Sequence, residues 1–343
     1  MGDKNERRVF TTVEVGVNYV THLYTLAKAF EDEEYYKKYQ SSISVEDRDY
    51  LKSNMDLMAF QGTDHGYLAV FLYFMPSYSN IETKEGYENY FFDFNKALKD
   101  RSFSPLKKYC PEIYHFDDET WQKSILPDLI TIKEVFRKIA DIYIENIDYY
   151  LKKIWPEVKT ILEERSRQLN KNIQLGLIEK WEQVTGYKFV GDNYYFVLYY
   201  AGANGPSFNN LSLEKNTAFY DHEQNFLLDM FSHELGIHVL LPDLIDLISK
   251  YEKELPRINK PDVYGLVSYM AFETMAIFLN RKVLARETCE ASKWIDFTTF
   301  NEIYIKIYSH GMSPLEMYEK AVNEYMELNK DYIGDYEKPS IKE

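Results

Sequence analysis

With 343 residues, 45% of them hydrophobic and 16% aromatic, the chain carries enough apolar surface for a large core or two domains, which excludes a disordered polypeptide. A formal net charge of -15 opposes binding to nucleic acid phosphates or anionic membranes, both of which need concentrated Lys and Arg. The two cysteines, Cys110 and Cys289, are far apart, so they support neither a disulfide framework nor a cysteine zinc site and fit a reducing compartment.

The opening "MGDKNERRVF" is charged where a secretory leader would be apolar, and no apolar run reaches bilayer-spanning length, so a cytoplasmic location is expected. Over 13–30, Val17, Val20, Leu23, Ala27 and Phe30 recur at helical intervals. The stretch "SVEDRDYLKSNMDLM" predicts a second helix with Ser44 as N-cap and Asp47 at its third position, where the helix dipole favours an acid. The chain from 117 to 185 is again amphipathic, and Pro127 and Pro156 should kink or end helices there. At Tyr187 the texture changes: "YKFVGDNYYFVLYYAG" reads as a hairpin or two short strands, "AGANGPSFNN" as a loop and "TAFY" as a third strand. Helical periodicity returns over 225–240, with a stop expected near Pro242, and an almost wholly apolar helix over 263–285 contains Glu273.

The chemistry is concentrated in "FSHELGIHVLLPDL". A zinc peptidase helix usually reads His-Glu-x-x-His, which puts two imidazoles one turn apart on one face beside a glutamate. Here the second histidine is one residue late: His233 and Glu234 are followed by His238. On a regular helix, positions five apart differ by about 140° and cannot share a metal. A widened π-turn would absorb the extra residue, and Gly236 stands where unusual backbone angles are best tolerated. Glu273 is the only charge in "VYGLVSYMAFETMAIFL", where a carboxylate is expected to be paired or metal-bound. His233, His238 and Glu273 then form a three-ligand set that leaves one tetrahedral position of Zn²⁺ open to water, with Glu234 as the base. The alternatives are two ordinary helix histidines, and a Glu273 paired with Arg281 or another buried cation.

"HELGIH" with Glu273 on a following helix resembles the gluzincin class of zinc metallopeptidases, and its expanded HExxxH spacing resembles the dipeptidyl peptidase III family. That resemblance, confined to the two helices, implies His233, His238 and Glu273 as zinc ligands, Glu234 as catalytic base, and a peptide or protein substrate. For the developing oxyanion, His310 in the turn "SHGMSP" is the first candidate, with Tyr264 and Tyr269 behind it. A di-iron bundle is disfavoured because a Glu-x-x-His pair occurs only once, at Glu112 and His115, and no serine-hydrolase elbow is present. The expected fold is α+β and mainly helical: a helical region over 1–185, a zincin-like metallopeptidase core with a small antiparallel sheet over 186–330, and a charged tail over 331–343. The competing reading is a non-catalytic, degenerate zincin-like helical interaction protein.

Overall fold

In the computed structural model, the described residues are 7–58, 68–111, 113, 116–203, 208–255, 266–288, 298–309 and 311–328. They are mainly helical, with one small sheet, and they divide into two units that interleave along the sequence. One unit takes Phe10–Lys171 and Tyr195–His222; the other takes the described residues before Phe10, Asn172–Tyr194 and those from Glu223 onward. Set beside the expected division at 185/186, the strands group with the earlier helices and the segment before them with the motif helix. The charged tail lies outside the described residues.

The first unit is built on α1 (Val15–Leu26), every residue of which is buried. Around it in sequence come α2 (Glu33–Tyr39), α3 (Val45–Ser53), α4 (Met75–Tyr78), α5 (Lys84–Asp100), α6 (Asp118–Thr120), α7 (Leu126–Thr131), α8 (Lys133–Lys153) and α9 (Trp155–Asn170). The cap of α3 is the expected one, with the Asp47 amide donating to Ser44 Oγ at 3.0 Å. Among the described residues of this unit, two turns are π-helical, Val70–Phe74 and Trp121–Ile125, and each runs into a proline, Pro76 or Pro127. Proline has no N–H to give the carbonyl four residues back. Near Pro76 that carbonyl is Leu72 O, and tyrosine hydroxyls fill the gap: Tyr143 Oη donates to Leu72 O at 2.9 Å and Tyr90 Oη to Phe71 O at 2.6 Å.

The sheet holds β1 (Val9–Thr12), β2 (Tyr194–Tyr199), β3 (Phe208–Ser212) and β4 (Lys215–Phe219) in the order β1-β2-β4-β3. It is mixed, not the antiparallel sheet expected: β4 runs parallel to β2 and antiparallel to β3. The expected hairpin across Gly191-Asp192-Asn193 is a single strand, while the end of the Gly-rich loop supplies β3. Because β4 sits between β2 and β3, its side chains Asn216, Thr217 and Ala218 are all buried.

The second unit contains α10 (Leu177–Thr185), α11 (Gln224–Glu254), α12 (Val267–Leu284), α13 (Thr298–Ile307) and α14 (Pro314–Leu328). The helix expected to stop near Pro242 instead continues through it to Glu254. Apolar burial on both sides of Pro242, at Val239, Leu240 and Leu244, outweighs the one missing hydrogen bond to His238 O. Among the described residues no helix is long and apolar enough to cross a membrane.

Candidate metal centre

α12 is buried on nearly every face, packed along α11 and tied to the helices that follow. Tyr304 Oη donates to Ala271 O at 2.8 Å and Tyr318 Oη to Ser268 O at 3.0 Å, which hold the part of α12 leading up to Glu273. Asn280 Nδ2 donates to Asp229 O at 3.3 Å, and Arg286 pairs with the Asp229 carboxylate. These polar ties fix the register of α12 against α11 in an otherwise apolar interface.

In that register His233 and Glu273 meet. His233 Nε2 lies 3.2 Å from Glu273 Oε2, with the two residues 3% and 8% exposed. Burial alone would push the imidazole down; the hydrogen bond and charge of Glu273, joined by the charge of Glu234, outweigh it and hold the His233 pKa above its ordinary value. His233 Nδ1 is buried without a hydrogen-bond partner. Arg281, the alternative partner for Glu273, donates instead to Asn301 Oδ1 at 2.9 Å.

His238 does not join them. α11 is a continuous α-helix across the motif, with no widened turn. Five residues on, His238 is carried about 140° around the axis, and its ring meets Tyr194 edge-on, 4.9 Å between centroids. Gly236 has a different purpose from the one expected of it. A Cβ there would fall 2.2 Å from Cζ2 of Trp181, so the glycine lets the indole lie directly on the helix backbone. Trp181 Nε1 also donates to Ser232 Oγ at 3.1 Å, one turn earlier, so the tryptophan grips a regular turn at two points. In the sequence, Trp181 carries no signal beyond its place on the buried face of the short helix α10.

Two ligands each about 2.0–2.1 Å from a tetrahedral zinc stand roughly 3.3 Å apart, so the His233–Glu273 contact at 3.2 Å fits a shared ion. His238 does not fit as the third ligand, and among the described residues no group of three His, Cys, Asp or Glu side chains converges. Glu234 is half-buried on α11, beside His233 and near enough to act on its charge. Tyr269, half-buried, stands one turn before Glu273 on α12. His310 and Tyr264 lie outside the described residues. No family model, no curated protein and no solved structure matches the chain.

Proposed function

We propose that this protein is a metal-dependent hydrolase of peptide bonds, its ion held by His233 and Glu273. The observation that carries the proposal is their buried 3.2 Å contact across two helices far apart in sequence. Zinc, when bound, supplies Lewis acidity and an acidified water. In this reading Glu234 takes the proton, supported by its position next to His233 in sequence and its half-open exposure to solvent. A peptide or protein substrate follows from the likeness to gluzincins and from nothing else.

Metal analysis and hydrolysis of a mixed peptide library test the proposal together. Wild type is expected to retain zinc after mild dialysis, His233→Ala and Glu273→Ala to lose it, and Glu234→Gln to keep it while losing most hydrolysis. The second reading, a non-catalytic helical protein in which His233 and Glu273 form a structural ion pair, is favoured by the regular turn that carries His238 away. A freshly purified chain without zinc and without peptide hydrolysis establishes that reading and removes the first.

A further inference from the structure

His22, on the buried helix α1, is 1% exposed, and both of its ring nitrogens are engaged. Nδ1 lies 2.7 Å from Tyr35 Oη and Nε2 lies 3.1 Å from Ser42 Oγ. Tyr35 is buried on α2, whereas Ser42 ends the 3₁₀ turn Gln40–Ser42 that follows α2 and is half-open to solvent. A reachable hydroxyl, a shielded imidazole behind it and a third group on the far nitrogen is the arrangement by which nucleophilic serines are activated and their histidines oriented. One more donor stands at the same turn: Arg48 binds Gln40 O through one guanidinium nitrogen, and its Nε is buried without a hydrogen-bond partner.

The geometry points to a second reactive centre, in which Ser42 is a nucleophile toward activated acyl and phosphonyl groups, His22 is its base and Tyr35 positions the imidazole. In the tautomer that carries its proton on Nδ1 and donates it to Tyr35 Oη, the Nε2 lone pair faces the serine hydroxyl. Ser42 Oγ then bonds to the carbonyl carbon of an ester while its proton passes to Nε2. The bond to the alcohol breaks and the proton leaves with the alkoxide. Water, deprotonated in the same way, cleaves the acyl-serine to the acid and restores the hydroxyl. Small activated esters are the substrate class. A neutral tyrosine in the third place stabilises an imidazolium less than a carboxylate does, which limits the site to good leaving groups.

The pH profile distinguishes this centre from an ordinary serine–histidine pair. Burial pushes the His22 imidazole down to about 3. The groups facing it are Tyr19 of α1, Tyr35 and Tyr39 of α2, Tyr150 of α8 and Ser42, all uncharged near neutrality. The base form is thus populated throughout the range in which an ordinary histidine titrates, so reaction should not fall away below pH 7.

The full chain, treated with a chelator to silence any bound metal, is reacted with a fluorophosphonate and the adduct located by peptide mass spectrometry. Wild type is expected to take one phosphonyl group at Ser42, at a rate that varies less than about threefold between pH 5 and 8 on the neutral-imidazole argument. Ser42→Ala should abolish the adduct and the turnover of a p-nitrophenyl ester. Tyr35→Phe, which keeps the ring and is checked for native circular dichroism, should slow labelling tenfold or more by releasing the imidazole. No adduct at Ser42, an equal rate in Tyr35→Phe, or a rate that climbs tenfold or more from pH 5 to 8 overturns the proposal. None of these outcomes depends on zinc or peptide hydrolysis, so this site and the metal centre stand or fall separately.

Discussion

Of the three described histidines that are sealed from solvent, His22 at 1% and His233 at 3% exposure have their charges set in opposite directions. His22 is surrounded by hydroxyls and aromatic rings, nothing offsets the loss of water, and its pKa falls to about 3. His233 suffers the same burial, but a carboxylate 3.2 Å away and a second one next in sequence reverse the sign. Burial sets the size of the penalty, and the partner decides whether the imidazole bears a charge. That difference leaves one histidine neutral through the physiological range and lets the other take up a proton beside its carboxylates.

The largest expected effect concerns the turn that holds His233 in place. Trp181→Ala removes the indole from Gly236 and the hydrogen bond to Ser232, and should cost about 3–5 kcal/mol by denaturant unfolding, the range for deleting a buried aromatic. A loss below about 1 kcal/mol, well short of that range, would mean that the helix is regular for some other reason.

Next comes the acid limb produced by His22. Its folded pKa of about 3 lies below the unfolded value of about 6.5, so the unfolded chain takes up the proton first as pH falls. Stability from this group is intact above pH 6.5 and declines by about 1.4 kcal/mol per pH unit, reaching about 3 kcal/mol by pH 4. His22→Gln should lose that dependence. Parallel stability curves for the two proteins from pH 7 to 4 would show that His22 is not held neutral.

The third and smallest effect converts one histidine into the likeness of the other. Glu273→Gln leaves His233 a neutral partner of the same shape, so in chelator-treated protein its pKa should drop below the ordinary value, read from its ring proton by NMR. The wild-type pair stabilises the fold below about pH 6.5, and that contribution is lost as pH rises through the raised folded value. The substitution should therefore cost about 1–3 kcal/mol at acid pH and less above neutrality. An unchanged His233 titration would transfer the charge effect to Glu234.

Much of this was legible in the residues because it is local. The apolar spacing of Val17, Val20 and Leu23 marks a helix, Ser44 with Asp47 marks its neighbour's start, and a lone glutamate amid apolar side chains announces that Glu273 must find a partner. Other features were not. Pro242 reads as a stop signal, yet packing carries the helix through it. The widened turn expected at Gly236 is absent, and widened turns occur at Val70–Phe74 and Trp121–Ile125 instead. At the first of these a proline frees a carbonyl and a distant tyrosine hydroxyl accepts the task of bonding it, a pairing between positions 72 and 143 that no short window contains.

The sequence by itself determined a mainly helical chain, the elements that bear the motif and the residue types able to do chemistry there, since periodicity, caps and the aversion of charge to apolar surroundings act over a few residues. Only the tertiary structure decided that Glu273 meets His233, that Trp181 claims Gly236 and turns His238 toward Tyr194, and that His22 joins Ser42 to Tyr35. Those choices depend on which helix faces are pressed together, and close packing between segments far apart in the chain admits one set of partners and excludes the rest.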